Sequence, residues 1–382
     1  MGEKVQKKGQ RNIYFIAMSK YNEYLRLYTE NKFDSLLREE GSVYWLKLRS
    51  ISRKKLLIEF CKFVCIDLEN ISNNKLLEYI YNIHPDVELI DEFIKKKYQE
   101  ERSSRKEVEP FLVSELYKMG ALDWGGLYQN NLEKTIVNNY IKKIKSYDVL
   151  NEKIENEIHE SLKGYVRSSW YNHWTSILIE DIFKDHCRVI PTIGLIKKVD
   201  FFIDNIPFDL KVTYFPEGFM SEIRKNKGWP TEVQVLKRFA KELNINYNQK
   251  QKERDIFNEL IIRIEESQKP EAVNFIKEFK QTRWQIIEEV IEHPHNLIKW
   301  LYEKQGERRF DAANRLFLVL VDKTNLEDSW KMKRNIDLLK DRINEYLDKF
   351  NVQNINELKI DFDWIDDKKY TTLSDILFII KE

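Results

Sequence analysis

The stretch Lys197-Lys198-Val199-Asp200-Phe201-Phe202-Ile203-Asp204-Asn205-Ile206-Pro207-Phe208-Asp209-Leu210-Lys211-Val212-Thr213-Tyr214-Phe215-Pro216 constrains this chain most. Phe, Ile, Val, Thr and Tyr dominate it, the types that suit a pleated, buried surface. Asp204-Asn205 marks a tight turn between two short strands. Into this apolar run the sequence sets Asp200, Asp209 and Lys211. A charge in a sheet core is costly unless it is paired, hydrogen-bonded or bound to a metal. Strand alternation puts Asp209 and Lys211 on one face, and Asp200 on the neighbouring strand can sit beside Asp209 across the hairpin. Two carboxylates and one ammonium then meet at one spot. The competing account is a buried ion pair within a structural sheet, which contributes little to stability and leaves one acid unexplained.

Clustered carboxylate oxygens with water make a hard-ligand site for Mg²⁺, which keeps several waters and takes phosphate oxygen as a further ligand. Such a metal acidifies a bound water and offsets charge on a reacting phosphodiester. A neighbouring lysine can orient or deprotonate that water, or stabilise the developing negative charge.

The pattern of Asp200, then Asp209-Leu210-Lys211 after eight intervening residues, behind an acidic helix, resembles the PD-(D/E)xK nuclease superfamily, and within it a type II restriction endonuclease most. The resemblance covers roughly residues 165 to 216, and more loosely Arg308 to Asp322. Val199 stands before Asp200 where the family signature has Pro. The triplet alone also fits Glu357-Leu358-Lys359 and Asp366-Asp367-Lys368, but neither follows an acid at suitable spacing in a strand pair, and both read as solvated loop or edge. The resemblance implies a restriction-endonuclease-like α/β fold, a mixed sheet flanked by helices. It implies Asp200 and Asp209 as metal ligands with the Leu210 carbonyl as a third, Mg²⁺ as cofactor, and Lys211 as the residue acting on the attacking water. It further implies double-stranded DNA as substrate and a possible homodimer. Two rivals are a same-fold nuclease of DNA repair or of branched or modified DNA, and a non-catalytic DNA-binding protein keeping the fold.

At 382 residues the chain has room for two or three domains. Its 64 basic and 63 acidic residues leave a net charge of +1, so a DNA-binding surface has to be a local basic patch. No apolar run approaches the ~20 residues of a membrane span, and the first residues lack the apolar core of a signal peptide. Three cysteines make no disulfide framework. Cys61 and Cys65, four apart on an apolar helix face, read as core. A cytoplasmic location fits.

In chain order, residues 12 to 105 read as a helical N-terminal region, a possible DNA-contacting module. The charged run Glu100 to Glu109 reads as a linker. Residues 106–150 follow as a helical connector, with lysines Lys134, Lys142, Lys143 and Lys145 over an apolar stripe. The nuclease core is expected over 151–382. Its helix Val166 to Phe183 offers Glu180 at the border of the apolar face, as an additional catalytic acid, with Asp181 inside that face as competitor. Cys187 to Ile193 reads as a first strand. His173, His186 and His293-Pro294-His295 read as surface or helix-end residues. A helical insertion over 217–305 carries Arg224, Lys225, Lys227, Lys237, Arg238 and Lys241 as basic candidates. Arg315 to Val321 reads as a buried strand, Trp330 to Phe350 as a helix and Asp375 to Ile380 as the last strand.

Overall fold

A computed structural model describes residues 20–68, 71–123, 132–194, 196–304, 312–351, 355–363 and 368–382. The start of the expected helical region at residues 12–19, Arg308-Arg309-Phe310 of the looser resemblance and Asp366-Asp367 lie outside them. The fold is α/β, with a six-stranded mixed sheet. In chain order the helices are α1 (Phe33–Arg38), α2 (Ser42–Ser50), α3 (Lys54–Phe63), α4 (Leu76–Ile83), α5 (Val87–Leu116), α6 (Leu132–Ile136), α7 (Tyr147–Lys153) and α8 (His159–Lys184). After the hairpin of residues 201–214 come α9 (Glu217–Asn226), α10 (Glu232–Glu242), α11 (Glu253–Glu266), α12 (Pro270–Glu292), α13 (His295–Lys304) and α14 (Ile336–Lys349). The strands are β1 (Val189–Pro191), β2 (Phe201–Ile203), β3 (Ile206–Tyr214), β4 (Arg315–Asp322), β5 (Lys359–Asp363) and β6 (Lys369–Lys381), ordered β1-β2-β3-β4-β6-β5. β5 was not foreseen, and β6 runs six residues further toward its start than expected. The stretch from Leu326 to Lys349 is a 3₁₀ segment followed by α14, where one helix was expected.

The chain divides into two compact units. The first holds residues up to Leu210 with Asp311–Arg315 and Asp328–Ile355; the second holds Lys211–Phe310, Leu316–Glu327 and Asn356–Glu382. Residues 100–109 lie inside the continuous helix α5. Their charges looked like a linker because they make ion pairs and leave no apolar period. Arg102 Nε meets Asp185 Oδ1 at 3.1 Å and its Nη2 meets Glu109 Oε2 at 2.6 Å, while Arg105 clasps Asp181. Upstream on α5, Ile90, Phe93, Ile94 and Tyr98 form the helical-period stripe that is buried.

The N-terminal helices share one core with the hairpin. Tyr24, Phe33, Trp45, Phe60, Ile80 and Phe93 pack with Ile193, Val199 and Phe202. Each such large side chain, once buried, contributes roughly 1.5–3 kcal/mol, so the helical region is a structural support of β2. At Gly194 a Cβ would come 2.0 Å from the Ser50 carbonyl oxygen of α2, so only glycine fits there. Cys61 is in this core, but Cys65 lies past the end of α3 with φ 56° and is exposed, which corrects its placement on the helix face.

In the second unit, α10, α11 and α12 bury Leu236, Ala240, Leu260, Ile264 and Phe279 in a separate core. Thr231 opens α10 with a capping box, its hydroxyl accepting from the Gln234 N–H and the Gln234 side chain accepting from the Thr231 N–H. Two of the basic candidates here are structural. Arg224 is buried, donating from Nε to the Pro230 carbonyl and lying over the Trp229 ring, and Lys227 pairs with Glu289 at 2.7 Å. Arg238 and Lys241 are exposed. Among the described residues no helix is long and apolar enough to cross a membrane.

Candidate active site

Asp204 and Asn205 both have positive φ, 46° and 67°, the geometry of a two-residue turn whose twist matches a hairpin. Their position is fixed from two sides. The fully buried Lys47 of α2 donates from Nζ to Asn205 Oδ1 and Asp91 Oδ2, both at 2.7 Å, and Arg188 pairs with Asp204. The β2–β3 register pairs Phe201 with Phe208 and Ile203 with Ile206. The ladder ends at Phe201–Phe208; Asp200 precedes it, and its N–H donates to the carbonyl of Phe208, the residue before Asp209, at 2.8 Å. The Asp209 charge lies near enough to disfavour the ionised form of Asp200.

Burial most of all, with the nearby charges of Glu180 and Asp209, raises the Asp200 carboxyl to about 6. The Leu210 N–H, donating to Asp200 Oδ2 at 2.8 Å, and the Lys184 ammonium act the opposite way without restoring the ordinary carboxylate range. The Asp200 carbonyl accepts from the Thr192 N–H and hydroxyl, which holds its backbone.

Asp209 is buried, and Arg315 Nε, itself 1% exposed, lies 3.3 Å from its Oδ2. Asn314 holds the strand here, its carbonyl accepting from the Asp209 N–H at 3.0 Å and its Nδ2 donating to the Pro207 carbonyl at 3.1 Å. Lys211 follows two residues along β3, on the side of the strand that Asp209 occupies. Glu180 is half-buried near the C-terminal end of α8, with Lys184 one turn on and 2.8 Å from its Oε2.

Asp181 is engaged elsewhere. It is buried, accepts two hydrogen bonds from Arg105 at 2.9 and 2.8 Å and one from the Tyr98 hydroxyl at 3.1 Å, and anchors α8 to α5. Of the two neighbouring acids, Glu180 is the one whose charge reaches Asp200. His186 pairs with Asp348 at 3.1 Å, and the His295 ring lies 3.1 Å from the Glu357 carbonyl.

Sequence reasoning missed Arg315 and Lys184. Arg315 heads an otherwise apolar strand buried along its whole length, and a charge in such a run requires a partner. Lys184 stands four residues after Glu180, the spacing at which side chains on a helix meet.

Among the described residues no three His, Cys, Asp or Glu side chains are gathered closely enough to hold a metal ion alone. That excludes a closed zinc-type cage there. It suits Mg²⁺, which is usually held by one or two carboxylates with waters and phosphate oxygens filling the octahedron. Asp200 and Asp209, with the Leu210 carbonyl between Asp209 and Lys211, are such a set of oxygens. Burial raises Asp200 most, and the charges of Glu180 and Asp209 add to it; a divalent cation would offset those charges. Set against family models, curated proteins and solved structures, the chain matches none of them.

Proposed function

We propose that this chain is a Mg²⁺-dependent endonuclease that hydrolyses phosphodiester bonds of double-stranded DNA, with sequence specificity of the type II restriction kind. One observation carries the proposal: the charges of Glu180 and Asp209 both act on the buried Asp200, and Lys211 follows Asp209 by two residues along β3. A stable fold alone has no use for such crowding, since nearby like charges cost free energy. A divalent cation bound there supplies an acidified water and neutralises charge on the phosphate.

The chain's own residues then divide the work. Asp200 and Asp209, with the Leu210 carbonyl, would hold the cation. The Leu210 N–H fixes one oxygen of Asp200. Arg315 holds Asp209 in place from the protein side. Lys211 orients the attacking water or takes its proton. Glu180, paired with Lys184, adds negative charge beside Asp200. The expected products carry a 5′-phosphate.

The test is digestion of plasmid DNA with the purified chain and Mg²⁺, followed by sequencing of the ends. Discrete fragments with a common end sequence support a restriction-type enzyme. Random or structure-dependent nicking supports the repair-type alternative. Undiminished cutting by Asp209→Ala or Lys211→Ala ends the assignment. One observation favours a second reading: Asp209 already has a buried cation in Arg315. A non-catalytic DNA-binding protein keeping the fold would use that pair for structure alone, and would neither cut DNA nor bind metal through Asp200.

A further inference from the structure

The second unit contains a cavity of about 440 Å³ between α9, α10, α11 and α12, a size typical of small-ligand sites. Its floor is Arg283, 7% exposed, flanked by Glu232 and Glu327. Arg283 Nη1 donates to Glu327 Oε1 at 2.9 Å. Arg283 Nε and Glu232 Oε1 stand 3.0 Å apart, yet they are not aligned as a hydrogen bond, and each is buried without a hydrogen-bond partner. The two atoms form an ion pair in which neither makes a hydrogen bond, and polar groups of a ligand can complete both. Phe257 gives one wall an aromatic ring, overlain on one side by the Arg283 guanidinium at 5.4 Å, and Arg254 and Asn258 add donors nearer the mouth.

We infer that this cavity is a binding site for a single nucleobase carrying an exocyclic amine, taken up out of the stack of a DNA strand. The chemistry of the wall selects that class. Carboxylates at Glu232 and Glu327 accept from an amine, while Arg254 and Asn258 donate to ring nitrogen or carbonyl oxygen. An aliphatic ammonium would need only the acceptors. The acids lining the cavity outnumber its arginines, so a free phosphate is disfavoured inside it. Thymine is disfavoured too, because its one ring N–H is flanked by two carbonyl oxygens that carboxylates repel. A base lying on Phe257 gains the aromatic stacking that holds extruded bases in enzyme pockets.

The inference rests on the proposed action on DNA, which would supply the base, but its test needs no cleavage. Guanosine, cytidine, adenosine, thymidine and agmatine are each titrated into the full chain without divalent metal and followed by ligand-observed NMR. Guanosine, cytidine or adenosine is expected to bind at least roughly tenfold more tightly than thymidine, and Phe257→Leu to weaken that binding by roughly tenfold. Should Phe257→Leu fail to fold, Asn258→Ala, at an exposed position, gives the same readout. Absence of nucleoside binding at millimolar concentration, equal binding of thymidine, binding unchanged in the folded variant, or binding of agmatine alone overturns the inference. A chain that cuts plasmid but fails this test loses the base site only. A chain that passes it without cutting loses the nuclease assignment only.

Discussion

Replacing Asp200 by Asn should make the metal-free protein more stable, by an amount that grows as pH rises from 5 to 8. Asn keeps an oxygen to accept from the Leu210 N–H, which meets Asp200 Oδ2 at 2.8 Å, but it cannot ionise. In the folded chain the Asp200 carboxyl is raised from 3.8 to about 6. A group whose folded value is raised contributes stability that is fully present below its unfolded value and lost as pH climbs through the folded one. At about 1.36 kcal/mol per tenfold, the loss is roughly 3 kcal/mol by pH 8 and about half of that at pH 5. Asp200→Asn escapes this loss. Equilibrium urea denaturation in EDTA, run on both proteins at pH 5 and pH 8, measures it. The variant should gain about 3 kcal/mol over the natural chain at pH 8, and the advantage should shrink as pH falls. A variant less stable at pH 8, or an identical difference at both pH values, would refute the reasoning.

Three further substitutions separate support from chemistry. Glu180→Gln should leave stability within about 0.5 kcal/mol and lower the rate of plasmid cleavage, whereas Asp181→Asn should lower the melting temperature by loosening α5 from α8 and leave cleavage per folded molecule intact; the reverse pattern would make Asp181 the active acid. Lys47→Met strands Asp91 and unpins the hairpin turn, so it should cost about 3 kcal/mol in urea denaturation; a change below about 1 kcal/mol would show that the turn holds itself. Gly194→Ala drives a methyl into the Ser50 carbonyl and should cost roughly 1–3 kcal/mol or prevent folding; a neutral outcome on the same assay would show that α2 yields freely.

The hairpin was legible in the sequence because its signals are local. A β-rich run, a two-residue turn and the acids Asp200 and Asp209 lie within twenty residues, and the register from Ile203–Ile206 to Phe201–Phe208 follows from the turn alone. β4 was legible for the same reason, as a short run buried throughout. What the sequence hid depends on contacts far along the chain. Arg315 reaches Asp209 across more than a hundred residues, and Lys47 reaches Asn205 across more than a hundred and fifty. Residues 100–109 misled because a helix face that faces other charges loses the apolar period that identifies helices. β5 was missed because it is an edge strand of alternating buried and exposed residues, five long, with Lys and Asp on its open side.

Calorimetric titration of Mg²⁺ or Mn²⁺ into the full chain tests the central claim most directly, because it asks whether Asp200 and Asp209 hold a divalent cation. The natural chain should bind metal at a site that Asp200→Asn abolishes and Asp181→Asn leaves intact. Binding that survives Asp200→Asn unchanged, or no binding by the natural chain with or without DNA, would contradict the claim.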